Sequence, residues 1–163
     1  MIMLEINDSA PNFNLLNQDG KRISLKNFKD KNVVIYFYPR ANTPGCTTES
    51  CGFRDDWLGF ERENISVIGI SDDPVEKISQ FHKKYDLNFD LLSDENGEMS
   101  KEYGVYVEKN MFGKKFMGIK RGTYIVCPHG KILSVYPKVK VADHAKQILI
   151  EMKDKKCSHS DGT

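Results

Sequence analysis

Val33-Val34-Ile35-Tyr36-Phe37-Tyr38 is continuously apolar and runs straight into Pro39, and this segment narrows the folds open to the chain more than any other. It is rich in β-branched and aromatic residues with no polar alternation, the pattern of a strand covered on both faces at the centre of a sheet. Pro39 ends it. Thr43 is a good helix N-cap and Pro44 a good first helical residue, so the spacing predicts a helix from about Pro44 to Arg62. Cys46 then falls in the first turn of that helix, where a buried strand hands over to it. A thiolate at such a place is stabilised by the free amide groups and positive dipole end of the helix. A second cysteine, Cys51, follows five residues later.

The other segments repeat a β-α rhythm. Phe13 to Leu16 and Arg22 to Leu25 flank Asn17-Gln18-Asp19-Gly20, whose Asp-Gly pair signals an N-terminal hairpin. Ile65 to Ser71 reads as a second buried strand, and Asp72-Asp73-Pro74 opens a helix with apolar positions at Val75, Ile78 and Phe81. A short strand at Leu91-Leu92, a short helix from Asn96 to Tyr103 and a Gly- and Lys-bearing loop or extended excursion from Lys109 to Lys120 follow. Gly122 to Val126 and Lys131 to Tyr136 flank Cys127-Pro128-His129-Gly130 as a second hairpin, and a helix over Val141 to Met152 closes the domain. The chain thus reads as one α/β domain over residues 1–154, a central mixed sheet flanked by helices, with a polar tail at 155–163.

Composition serves mainly to exclude. Twenty-four basic against 23 acidic residues give a net charge of +1, well mixed, which offers no broad field for nucleic acid or a membrane. No stretch approaches the ~18 apolar residues of a membrane span, and the first residues meet charge too soon for a signal peptide, so a cytoplasmic protein is expected. Cysteines at 46, 51, 127 and 157 do not form a secreted disulfide framework, and a reducing compartment suits a reactive thiol.

Helical geometry separates Cα atoms five residues apart by about 8 to 9 Å, on faces ~140° apart. A disulfide needs about 4.4 to 6.8 Å between Cα atoms. If Cys46 and Cys51 join, the helix must therefore unwind, and the reduced and oxidised forms should differ around residues 44–58. The spacing also differs from Cys-x-x-Cys, whose thiols can bridge without such a change.

Pro39, Thr43 and Cys46 together match the Pro-x-x-x-Thr-x-x-Cys signature of peroxiredoxins, and Thr43 to Asp55 resembles the Q-type branch, the bacterioferritin comigratory proteins. The resemblance extends over about residues 8–150. It includes Lys120-Arg121-Gly122-Thr123-Tyr124, similar to the segment that carries the family's second active-site arginine, and Tyr136 to Val141. It implies a thioredoxin-like fold and thiol-dependent reduction of hydrogen peroxide and organic hydroperoxides, with no cofactor and no metal. Cys46 would be the peroxidatic nucleophile, passing through a sulfenic acid, and Cys51 the resolving thiol. Thr43 and Arg121 would donate hydrogen bonds to the thiolate or peroxide, Pro39 would shield the sulfur from water, and Glu49 would orient an arginine. Thioredoxin or a glutaredoxin would reduce the resulting disulfide. With both thiols in one chain, a monomer is expected.

Several residues have plainer readings. Cys51 can be a packed helix residue, Thr43 only a cap, Arg121 a solvated strand-edge charge, and the cluster Lys114, Lys115, Lys120 and Arg121 a solvated loop. Arg54 and Asp55 suit a structural ion pair, Trp57 the core, and His82 and His144 the surface or boundary. The resemblance departs at Cys127, where an acidic residue is usual, and at Gly122, where a larger residue is common. Cys127 and Cys157 read first as a buried or tail thiol, with an alternative resolving role or glutathionylation open to each, while Cys127, His129, Cys157 and His159 lack the spacing of a structural zinc site. Two other function classes use the same residues: a thiol-disulfide reductase and a non-catalytic peroxide sensor.

Overall fold

A computed structural model describes residues 3–153. The expected tail at 155–163, with Cys157 and His159, lies outside the described residues. Seven strands form one mixed sheet. The first hairpin pairs β1 (Asn14–Asn17) with β2 (Arg22–Ser24), and the Asn17 side-chain oxygen accepts from the amides of Asp19 and Lys21 to close the turn. A 3₁₀ turn at Leu25–Phe28 follows, which sequence periodicity does not signal.

The centre of the sheet is β3 (Asn32–Phe37), parallel to β4 (Ile65–Ser71), which in turn is parallel to β5 (Asp90–Ser93). On its other side β3 pairs antiparallel with β8 (Gly122–Val126), and β8 with β9 (Ile132–Tyr136). The order across the sheet is β2-β1-β5-β4-β3-β8-β9. Residues of β3 alternate between two cores, as the two-residue period of a strand requires. Val34, Tyr36 and Tyr38 join one core with Cys46, Phe53, Phe60, Ile78, Phe81 and Ile148. Val33, Ile35 and Phe37 join the other with Met99, Tyr103, Ile119 and Tyr124. Both faces are covered, which is why the β3 sequence carries no polar alternation.

The expected single helix from Pro44 to Arg62 is two: α1 (Pro44–Asp55) and α2 (Trp57–Arg62), broken at Asp56, whose φ of −96° and ψ of 14° leave the helical region. Gly52 and Gly59 weaken the helix on either side of the break. The bend also brings Gly59 so close to Leu149 that an added Cβ would lie 2.8 Å from its Cδ1. The remaining helices, α3 (Val75–Lys84), α4 (Glu98–Glu102) and α5 (His144–Met152), fall within the segments expected to be helical, α4 and α5 starting later than the sequence suggested.

Of the two readings of residues 109–120, the extended excursion holds. These residues belong to a separate two-stranded hairpin, β6 (Tyr106–Met111) and β7 (Lys114–Ile119), turning at Phe112 and Gly113.

Candidate active site

The site lies at the C-terminal end of β3, the end of a parallel strand where open α/β sheets place their ligand crevices. From Pro39 the chain crosses to α1 through a fixed loop. The Ala41 amide donates to Asp73 Oδ2 at 2.7 Å, and Asn42 takes a left-handed φ of 63° while its side-chain oxygen accepts from Lys84 Nζ and Tyr85 OH. Thr43 occupies the N-cap position by its backbone, but its hydroxyl does not cap the helix: Oγ1 donates to the Arg40 carbonyl at 3.0 Å. The hydroxyl is thus held by the preceding loop, and its lone pairs are left to accept from another donor.

Cys46 is fully buried in the first turn of α1. Arg121 reaches it by strand register. In the β3–β8 pairing Phe37 faces Gly122, so Arg121, one residue before β8, lies level with the end of β3. Its Nη2 donates to Cys46 Sγ at 3.2 Å and its Nη1 to Glu49 Oε1 at 2.6 Å. Glu49 is three residues beyond Cys46, hence on the same helix face. The guanidinium therefore spans sulfur and carboxylate with two prongs of one planar group, an arrangement a lysine could not reproduce. Burial pushes the Glu49 carboxyl up to about 7, against the opposing pull of Arg121.

Gly45 is a member of this site that the sequence reading did not single out. A Cβ there would lie 3.3 Å from Arg121 Nη2, so the glycine leaves the channel through which the guanidinium reaches the sulfur. Its signal was its place between Pro44 and Cys46. Lys109 is another: the hairpin swings it toward the site, where burial lowers its pKa and Asp72 pulls the other way. Only the long-range placement of β6 and β7 shows this. A cleft of about 630 Å³ opens beside Pro39, Arg40 and Thr43, with Lys109, Phe116 and Ile119 forming its hairpin wall.

Cys51 is half-buried, and both it and Cys46 are free thiols within the same unbroken helix. Burial raises the Cys51 pKa, with Arg54 partly offsetting it. Arg54 and Asp55 do form an ion pair, at 2.9 Å, and Arg54 also donates to the Tyr85 carbonyl. Trp57 is only partly buried, packing on the edge of the core. His144 corrects the sequence reading: far from the surface, it is 1% exposed, with Nε2 2.8 Å from Thr123 Oγ1. The pattern of α5 does not betray it, because its burial comes from contact with Phe53 and Tyr136. His82 sits at the boundary with a ring nitrogen 3.0 Å from the Phe89 carbonyl. Cys127 is buried at the β8–β9 turn. Among the described residues, no group of three or more His, Cys, Asp or Glu side chains is placed to hold a metal ion.

The AhpC/TSA family model matches residues 6–135. Peroxiredoxin Bcp of Escherichia coli is 40% identical over 93% of this chain and 97% of its own length. A mutant of peroxiredoxin Q from Xylella fastidiosa superposes with a TM-score of 0.87 at 31% identity, covering 94% of this chain and 98% of that one. Xanthomonas campestris bacterioferritin comigratory protein, whose structures with trapped intermediates and ligands concern its alkyl peroxide reduction activity, gives 0.81 at 35% identity over 86% of this chain and 90% of that one. The mixed sheet and its flanking helices are thus a thioredoxin-like fold, and the chain belongs to the peroxiredoxins of the AhpC/TSA family, in the Q-type or bacterioferritin comigratory branch.

Proposed function

We propose that the protein is a thiol peroxidase that reduces hydrogen peroxide and organic hydroperoxides at Cys46 and is recycled by a dithiol reductant. The observation that carries this reading is the Arg121 guanidinium placed 3.2 Å from Cys46 Sγ and fixed from behind by Glu49. The Cys46 thiolate attacks one peroxide oxygen, an S–O bond forms as the O–O bond breaks, and the other oxygen leaves with a proton as water or alcohol. Cys46 is then a sulfenic acid. Arg121 and the Cys46 amide are the donors that meet charge developing on the departing oxygen, Thr43 Oγ1, its own proton held by the Arg40 carbonyl, accepts the proton of the incoming peroxide, and Pro39 keeps bulk water from the sulfur.

Cys51 attacks the sulfenic sulfur and water leaves, giving a disulfide that thioredoxin or a glutaredoxin reduces by thiol exchange. Because both cysteines lie in one intact helix, that step requires α1 to open. Resolution within one chain needs no second subunit, so the catalytic unit is a monomer, suited to the reducing cytoplasm. Among the described residues no helix is long and apolar enough to cross a membrane.

The test is peroxide-dependent NADPH consumption coupled through thioredoxin and its reductase, comparing wild type with Cys46→Ser and Cys51→Ser. Turnover should vanish in Cys46→Ser and be impaired in Cys51→Ser. Full activity in Cys51→Ser would transfer the resolving role to another thiol, and turnover of disulfides but not hydroperoxides by the wild type would make the protein a disulfide reductase.

A further inference from the structure

The β6–β7 hairpin stands apart from the seven-stranded sheet and is anchored at its base, where Ile119 is buried, the Tyr106 ring covers Gly97, and the Lys120 amide donates to the Val105 carbonyl. Its far end does not look designed for water. Phe112 at the tip is 98% exposed and Met111 58% exposed, with Phe116 and Met117 exposed behind them. Phe112 also holds a φ of 54° beside Gly113 at 80°, a tight turn that twists with its strands but places a bulky aromatic in the left-handed region. Asparagine or glycine would fit that position with less strain and no exposed ring.

Along the hairpin's outer half the charge is of one sign, with Asp72 facing it from across the cleft. Residues 109–117 contain Lys109, Lys114 and Lys115 and no acidic residue. The nearest acid, Glu108, lies 4.0 Å from Lys115 with both side chains exposed, a pairing too weak and solvated to neutralise it. An apolar wedge rimmed by lysines suits a bilayer interface, where the ring and thioether enter the acyl boundary and the ammonium groups meet anionic headgroups. A second copy is disfavoured as the occupant, because a two-fold interface would set the same lysines against each other. A net charge of +1 over the whole chain conceals this local asymmetry.

We propose that the β6–β7 hairpin docks the protein on anionic phospholipid membranes through Phe112 and Met111 at its tip and Lys114 and Lys115 at its rim. The cleft wall formed by the same hairpin would then lie near the lipid surface, placing the Cys46 site within reach of hydroperoxides carried there.

Flotation of the full chain with vesicles tests this, using phosphatidylcholine alone and an equal mixture of phosphatidylcholine and phosphatidylglycerol. Binding to the anionic vesicles only, released by high salt, is expected. Phe112→Ser should weaken it at least about tenfold, since the ring no longer leaves water, and Phe112→Trp should preserve it. Neutralising Lys114 and Lys115 together, each by Gln, should cost about fivefold per lysine. Unchanged circular dichroism and urea unfolding in Phe112→Ser would show that the variant is folded. Absence of binding to anionic vesicles, or binding that survives Phe112→Ser, would overturn the proposal. So would sedimentation showing that Phe112 instead supports self-association or a complex with the thiol reductant.

Discussion

At the scale of single residues, the question is how much the thiolate alone accomplishes. A thiol of ordinary pKa is a few per cent ionised near neutrality, so complete ionisation gains only about 2 kcal/mol in reactive population. Donors preorganised on a developing oxyanion are typically worth ~2.7 to 4 kcal/mol each. Arg121→Ala should therefore slow peroxide reduction by roughly 10²- to 10³-fold, far beyond any change in thiolate fraction. Stopped-flow oxidation set beside thiolate absorbance checks this, and equal losses of rate and thiolate would refute it. Glu49 acts one step back, through Arg121 Nη1 at 2.6 Å. Its carboxyl titrates at about 7 because it is buried, so the ion pair is complete above that pH and is lost as the carboxyl protonates below it. The rate advantage of wild type over Glu49→Gln should accordingly be full above about pH 7 and shrink toward unity on acidification. A ratio of the two rate constants that is constant with pH would remove Glu49 from the positioning of Arg121.

At the scale of elements, the proposed mechanism asks α1 to be a stable helix for attack and an open segment for resolution. Its anchors are Phe53, stacked on Tyr36 with ring centroids 4.8 Å apart, and Ser50 Oγ, 2.8 Å from Tyr36 OH. Against these, Gly52 weakens the helix interior, and no packing demands it: an added Cβ meets nothing within 4 Å. Gly52→Ala should stabilise the helix by about 0.5 to 1 kcal/mol and, if opening precedes disulfide formation, slow that step by about two- to fivefold. Trp57, just beyond the break at Asp56, gives the fluorescence signal, and longer-lived sulfenic acid should appear as greater over-oxidation of Cys46. An unchanged resolving rate would mean that α1 opens without unwinding at residue 52. The elements themselves were largely legible: β3, β4 and the first turn of α1 announce themselves through apolar runs, Pro39 and Pro44. The break at Asp56 was not, because the glycines that weaken the helix are also compatible with its continuation. The β6–β7 hairpin was obscured because its strands are half exposed and lack an apolar face, leaving only Gly113 as a turn signal.

At the scale of the molecule, α5 ties the active-site helix to the β8–β9 edge of the sheet, and His144 is the tie. Its ring lies against Phe53 of α1 and Tyr136 of β9, while Nε2 meets Thr123 of β8, two residues after Arg121. Thr43 and Cys46 stand out in the sequence because one short motif holds them, and Arg121 because its segment resembles a second one; His144 does not, because its burial depends on three elements converging from distant parts of the chain. Burial lowers its pKa to about 4, against an ordinary value of 6.5, so the folded ring is neutral where the unfolded one takes up a proton. Its charge would fall at the N-terminal end of α5, where the helix dipole opposes it. The folded pKa being depressed, the stabilisation is complete above about pH 6.5 and is lost as pH falls through about 4, amounting to about 3 kcal/mol. Urea unfolding across this range should show stability falling on acidification by up to about 1.4 kcal/mol per pH unit from this one site. His144→Gln, which keeps a polar side chain near Thr123 but cannot titrate, should be less stable near neutrality and lose that part of the slope. If the variant retains the full slope, carboxylates elsewhere govern acid unfolding, and the junction of α1, α5 and β8 is held by packing alone.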